Sequence, residues 1–450
     1  MRLHFVNPPL RQDADVRCIV ALVELHPRCA RQGCSGYQAM GYNNEPVVLQ
    51  RPWVLPPKAA PLLYKPPPLA ELELSPGIVV RIGTSTCEIT EALGMGSFGV
   101  VWAAKCNKEP CQEVAVKEMI CRSSADFQRA EYEIALLKEL SAIVPSCPLR
   151  IPSYVASDSK PLADGTTRVR LAMSRLPGIP LDTYVAEPPE VENRLRTAVA
   201  FARALVEQLA PTMASLSSVA YHRDVNAHNI LVDVDAAGIP THSLVDFGLA
   251  VNASTWMDPS PKNPGGKSEW EFLDVGGDCR YWPVSAWRQF EAGCRALSEA
   301  PALCAEYQTH LDLQGLGLTV LQVLVAMLPE EGLVLRELRT LQDAWTQYWD
   351  DATEFWSALL NTFRHGGDWS VLKQEFVARG VHRIMAQRLK KLHDALNTAL
   401  SAAAAANLDE EGTSDWPHGS AGLLWALLAM VSYGEERTEP AHWGEVTMRL

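Results

Sequence analysis

The apolar positions of this chain fall into two regimes. Up to about residue 80 they follow no period and are interrupted by Pro8-Pro9, Pro56-Pro57 and the run Pro66-Pro67-Pro68. Proline fixes φ and removes a backbone donor, so this stretch is expected to be an extended or disordered linker, with a proline-motif docking site as the sharper alternative. Beyond it the pattern becomes regular. Val100-Val101-Trp102-Ala103-Ala104 and Glu113-Val114-Ala115-Val116-Lys117 are short apolar runs that predict strands. From Ser123 to Leu140 the period changes: Ile134, Leu137 and Leu140 make one helical stripe, and Ser123 and Asp126 offer its N-terminal cap. A further short strand is predicted from His242 to Val245, a helix from Asp312 to Met327, and a helix end over Ser401–Ala406 running into an exposed acidic loop. Trp345, Trp349 and Trp356 recur at near-helical spacing, which predicts core packing in preference to a partner surface. No internal repeat is visible.

Chemistry enters with Tyr221-His-Arg-Asp-Val-Asn-Ala-His-Asn-Ile230, a short loop ahead of an apolar strand. It carries the phosphoryl-transfer spacing H-R-D-x-x-x-x-N, with Asp224 as catalytic base and Asn229 as metal ligand. Upstream, Leu93-Gly-Met-Gly-Ser-Phe-Gly-Val-Val101 sets Gly94, Gly96, Gly99 and Val101 in the pattern G-x-G-x-x-G-x-V. Backbone N–H groups can approach a triphosphate only where no side chain intervenes. A dinucleotide site uses the same glycine spacing, but at a strand-to-helix turn, whereas here a strand follows. Lys117 ends the next strand, V-A-V-K, within reach of nucleotide phosphates, and needs a carboxylate to orient it. Glu133 is the expected partner and Glu131 the fallback. Downstream, a short strand ends in Asp246-Phe247-Gly248, and Asp246 with Asn229 would give two oxygen ligands suited to a hard magnesium ion.

Taken together over about Ser85 to Ala250, the order glycine loop, lysine, helix glutamate, H-R-D…N and D-F-G resembles the eukaryotic protein-kinase family, in a divergent member. The resemblance implies an α+β, two-lobed fold, with a small mostly-β N-lobe over about 81–176 and a larger mostly-α C-lobe over 177–450. Residues 1–80 would be an extension, and 335–415 a helical insertion within the C-lobe. It implies ATP and Mg2+ in the cleft, a protein substrate, and transfer of the γ-phosphate to a protein hydroxyl. Lys117 would clamp the α and β phosphates and Leu93 would line the nucleotide site. Leu171-Ala-Met-Ser-Arg-Leu-Pro-Gly178 looks like the family's hinge, placing Met173 near the gatekeeper position and the Ser174–Leu176 backbone against adenine. Asp312 would brace the catalytic loop, although Gln314 stands where the family's pattern has tryptophan. Arg223 would receive a phosphate from the loop between Val251 and Asp278, where Ser254, Thr255, Ser260 and Ser268 are candidates; simple solvated hydroxyls are the competing reading.

Three departures qualify the resemblance. Asn226 replaces the lysine that serine/threonine kinases carry two residues after the aspartate, and His228 replaces the arginine that tyrosine kinases carry four after it. Base rates alone favour the serine/threonine type. Gly277-Asp-Cys-Arg-Tyr-Trp-Pro-Val284 resembles the end of an activation segment but has no A-P-E, so the glutamate that would pair with a late arginine such as Arg437 is absent. The extra Trp-bearing material is the third. A pseudokinase scaffold and a small-molecule kinase of related fold are the alternatives. Such scaffolds usually lack Lys117's, Asp224's or Asp246's equivalent, and here all three are present.

With 450 residues and 47% hydrophobic content the chain can bury a large core. Its formal charge of −13 argues against nonspecific nucleic-acid binding and leaves no basic membrane patch. No apolar run is long enough to span a bilayer, and the first residues do not read as a secretory signal. The 11 cysteines include no C-x-x-C pair, so reduced thiols and a cytoplasmic or nuclear location are expected, with metal binding or disulfides at Cys106 and Cys111, in a turn between strands, as the lesser alternative. Oligomeric state is not encoded in any of these features.

Overall fold

The computed structural model describes residues 72–448, apart from 97–98, 108–111, 144–149, 189–190, 262, 330–334, 366, 407–415 and 435–441. The proline runs, Cys111, Arg437 and the acidic loop after Ala406 lie outside the described residues.

Six antiparallel strands open the fold: β1 (Val79–Ile82), β2 (Ser85–Gly96), β3 (Gly99–Cys106), β4 (Gln112–Cys121), β5 (Tyr154–Pro161) and β6 (Thr167–Ser174). Their spatial order is β1-β2-β3-β4-β6-β5. Along β4 the side chains alternate between faces, as a pleated strand requires. Val114 and Val116 join a small cluster with Ile82, Ile89 and Trp102, whereas Ala115, Met119 and Cys121 join the main core. Lys117 shares the parity of that second set and so faces the helix α1 (Ser124–Ile143). Ser123 and Asp126 cap α1 reciprocally, Asp126 N–H to the Ser123 hydroxyl at 3.1 Å and Ser123 N–H to the Asp126 carboxylate at 3.0 Å. Residues just before β1 already belong to this layer: Leu74 is buried and donates its N–H to the buried Glu118, which also accepts from Arg170.

Cys106 ends β3 and does not lie in a turn. The β2–β3 register sets it opposite Cys87, and the two are disulfide-bonded, with Cα atoms 4.1 Å apart. The expectation of reduced thiols is therefore corrected at this pair. Sequence spacing hid it because cross-strand register, not separation along the chain, brings the two sulfurs together.

The remainder is helix-rich. After a short strand β7 (Ile179–Pro180) come α2 (Leu181–Ala186) and α3 (Arg194–Leu216), then β8 (Ala220–Tyr221), β9 (Ile230–Val234), β10 (Pro240–Leu244) and β11 (Val251–Asn252). The pairs β8–β11 and β9–β10 flank the loop that holds Asp224. The helices that follow are α4 (Ala253–Met257), α5 (Val284–Ser298), α6 (Pro301–Thr309), α7 (Leu311–Met327), α8 (Arg336–Arg364), α9 (Trp369–Arg379), α10 (Val381–Ala406), α11 (Ser420–Met430) and α12 (Trp443–Met448). A strand-rich sheet followed by a helix-rich remainder fits a two-lobed arrangement. Helix α7 is buried along nearly its whole length at the centre of the larger core. Trp345 and Trp349 on α8 are buried and stack at 5.1 Å, and Trp356 packs partly buried against the same core. Among the described residues no single helix is long and apolar enough to cross a membrane.

One core histidine makes stability depend on pH. His242 on β10 is fully buried, and burial followed by the charge of Arg150 pushes its pKa down from 6.5 to about 3. The unfolded chain binds the proton more readily, so the stability this neutral imidazole supports is intact above about pH 6.5 and is lost as pH falls from there towards 3. At pH 5 the loss is about 2 kcal/mol. Thermal melts of wild type and His242→Gln from pH 7 to 5 should show a shallower decline in the variant; parallel slopes would remove His242 as the cause.

Candidate functional site

The site forms where the sheet meets the helical part. Lys117, 5% exposed on β4, donates to both Glu133 oxygens at 2.8 and 3.0 Å, and Glu133 is itself 3% exposed on α1. Glu131, one half-turn away, faces solvent. The same ammonium donates to Asp246 Oδ1 at 2.9 Å, which joins strand β4 to the loop after β10. Burial penalises the Lys117 charge, but Asp246 and Glu133 outweigh it and hold the pKa above the ordinary lysine value. Lys117 is thus a fixed cation. Asp246 sits at φ 63° and Arg223 at φ 65°, the two non-glycine residues with positive φ among those described. Strained backbone of this kind persists only where the surroundings impose it, and it collects at functional sites.

What imposes it on Arg223 is Asp312. Buried in the first turn of α7, its carboxylate accepts the N–H groups of His222 and Arg223, each at 2.7 Å. Burial pushes its carboxyl up, against the opposing effects of His222 and the two N–H donors. Asp312→Ala would leave two buried donors unpaired at a cost of roughly 2–4 kcal/mol. The expected result is a lower denaturant midpoint and faster amide exchange over 221–229; an unchanged midpoint would show that water replaces the carboxylate.

Asp224 is held just as closely. Its Oδ1 accepts from Asn226 Nδ2 at 2.8 Å and from the Asp278 N–H at 3.1 Å, and its Oδ2 accepts from Asn229 Nδ2 at 2.9 Å. Asn226 Oδ1 in turn accepts the N–H groups of His228 and Asn229. A neutral staple therefore occupies the place where the sequence comparison led one to look for a lysine. His228 is half-exposed and paired with Asp182 at 3.2 Å; that hydrogen bond, against desolvation, raises its pKa. The end of the activation segment lies directly on the aspartate. A side chain at Gly277 would come within 2.7 Å of both Arg223 O and Asp224 Oδ1, and φ of 82° there also demands glycine.

The glycine strand-pair is less uniform than its motif. Gly94 and Gly96 lie on β2, Gly94 opposite Val101 and Gly96 opposite Gly99, with Leu93 exposed beside them. Nothing lies within 4 Å of a Cβ built at Gly94, whereas at Gly99, φ 149°, it would sit 2.0 Å from Glu118 O. Gly99 thus serves close packing of β3 on β4, and Gly94 leaves open space. Met173 is buried on β6, and Leu176 follows it, partly buried. The Ser174 N–H donates to Ser153 O at 2.8 Å and the Arg175 N–H to Glu113 O at 3.5 Å. The expected hinge donors are therefore already engaged at two of three positions, because β6 continues its pairing that far.

Sequence reasoning missed a buried carboxylate that holds the chain just after Gly277–Val284. Ser285 donates its N–H to the buried Glu306 of α6 at 2.8 Å, and Glu306 also accepts from the Ser432 hydroxyl. Gln314 likewise is buried and accepts the Ser432 N–H at 2.7 Å. No motif spacing points to Glu306, since it is supplied from a different helix.

Residues 87–269 match the family model for protein tyrosine and serine/threonine kinases. That stretch is a protein kinase domain. The matched stretch contains Lys117, Glu133, Asp224, Asn229 and Asp246 and ends before Gly277–Ser285, where the family pattern is departed from. No curated protein matches the chain. Among the described residues there is no group of three histidine, cysteine or acidic side chains that could hold a metal ion.

Proposed function

We propose that this kinase domain is an active, ATP-dependent protein kinase of the serine/threonine type. The observation that carries the reading is the buried Lys117 ammonium shared between Glu133 and Asp246, with the Asp224–Asn229 pair beside it. A buried cation held by two carboxylates costs desolvation and is retained where charge must be placed accurately. Phosphoryl transfer asks for just that, because catalysis rests on positioning and charge neutralisation.

In this reading Lys117 binds the α and β phosphates. Leu93, Gly94, Gly96, Gly99, Val101, Met173 and Leu176 surround the nucleotide, Leu176 being the best placed of the hinge donors. Asn229 directs its Nδ2 to Asp224, which leaves its Oδ1 for a cation, and Asp246 supplies the second oxygen, so the pair fits Mg2+. Bound there, the ion would neutralise phosphate charge. Asp224 accepts the proton of the acceptor hydroxyl as its oxygen bonds to the γ-phosphorus and the bond to the β–γ bridging oxygen breaks. With Asn226 neutral, no lysine assists from the catalytic loop, and this favours the pseudokinase scaffold as the second reading.

The test is transfer from radiolabelled ATP with Mg2+ to a mixed peptide library, followed by identification of the labelled residue. Label on serine or threonine is expected. Label on tyrosine would correct the acceptor, label on a small molecule would move the chain to the other kinase class, and ATP binding without transfer would leave the scaffold.

A further inference from the structure

The guanidinium of Arg223 lies in an aromatic setting. It is 9% exposed and stands 4.8 Å above the Trp256 ring, which is 0% exposed. Trp256 belongs to α4, the first turn of the activation segment, and is itself fixed. Its Nε1 donates to Gln308 O at 2.9 Å, and its ring packs on Tyr221 at 6.5 Å and Tyr307 at 5.7 Å. Arg223 Nη2 also donates to Asp274 O at 2.7 Å, further along the same segment. One side chain, adjacent to Asp224, therefore ties the segment at both Trp256 and Asp274.

Three of the four candidate hydroxyls of the segment have other partners. Ser254 Oγ donates to Asn252 Oδ1 at 2.6 Å, Thr255 Oγ1 to Asn252 O at 3.4 Å, and the buried Ser268 Oγ to Met257 O at 3.1 Å. The carboxyl groups of Glu269 and Asp274 both lie within electrostatic reach of Arg223, while burial pushes the pKa of each up. Two more buried tryptophans hold the segment, Trp270 and Trp282, the latter donating to Gly276 O at 2.8 Å. Its fold is thus anchored by aromatic rings at three points.

We propose that the Trp256 ring, clamping Arg223, folds the segment from Val251 to Cys279 onto the catalytic loop without a phosphate, so that the site is competent unphosphorylated. This rests on the kinase reading only for the word competent. A cation over a desolvated indole is worth enough to hold a loop, and it needs no modifying enzyme. The opposing case is that Arg223 Nε, which has no acceptor among the described residues, awaits a phosphate oxygen.

The experiment uses the full chain freed of phosphate, its mass confirming that none remains, and reads amide exchange over 252–279 together with single-turnover transfer and binding of an ATP analogue. Wild type and Trp256→Phe, which keeps a ring under the guanidinium, should protect the segment alike. Trp256→Leu, which keeps apolar volume but no π face, should exchange there on the order of tenfold faster and lose transfer in parallel, with nucleotide affinity kept. Arg223→Met should open the same peptides, and serves if the leucine variant does not fold. Segment protection that appears only after phosphorylation, or equal protection in the leucine and phenylalanine variants, would overturn the clamp. Full protection with no transfer from any variant would instead overturn the kinase reading and leave the clamp standing.

Discussion

Lys117→Ala is expected to lower single-turnover phosphoryl transfer by about 10²-fold or more, since one well-placed electrostatic contact in a water-poor site contributes on that scale. Glu133→Ala should reproduce part of the loss, because Lys117 would then lose one of the carboxylates that hold it. As the two act as a unit, the double variant should be hardly slower than Lys117→Ala. Stability adds an independent signature. Lys117→Ala leaves Glu133 buried without its ammonium partner, which costs about 3–5 kcal/mol, while removing both residues relieves most of that cost. A double variant more stable than Lys117→Ala is therefore expected in denaturant titrations, with circular dichroism confirming the fold. If the two rate losses multiply, Lys117 and Glu133 work independently and the shared-cation account fails.

Asp246→Ala is expected to abolish turnover while leaving the fold intact. Asp246 reaches Lys117 from a part-exposed position, so the substitution does not orphan a deeply buried charge in the way that loss of Lys117 does. It removes one of the two oxygen donors proposed for Mg2+ and frees Lys117 from its link to the β10 loop. ATP affinity measured with and without Mg2+ should therefore differ strongly in wild type and little in the variant. Turnover equal to wild type would sink the metal assignment, and a collapsed melting transition would show that the Lys117–Asp246 link is structural first.

Much of the site was legible because its chemistry depends on short spacings. Lys117 could be placed by the V-A-V-K strand and Glu133 by its position in the helical stretch that follows. Their meeting at 2.8 Å follows from β4 running directly into α1 through a capped turn. The Asp224–Asn229 contact is of the same kind, a closure within one loop. The hinge was less legible: the Ser174 and Arg175 amides are engaged by neighbouring strand ends, and no local pattern reveals where β6 stops pairing. The disulfide was misread outright, since Cys87 and Cys106 are brought together by the β2–β3 register alone.

By itself the sequence determined the order of the chemical groups, the elements that carry them and the family they resemble, because glycine spacing, strand alternation and cap residues act over a few residues. Only the tertiary structure decided which carboxylates share Lys117, that Asn226 staples Asp224, that Glu306 from α6 accepts the Ser285 N–H, and that Trp256 lies under Arg223. Each of these contacts joins residues whose proximity is set by packing, or depends on which way a side chain turns once its neighbours are in place. Packing is a property of all the elements together, so no window of sequence contains it.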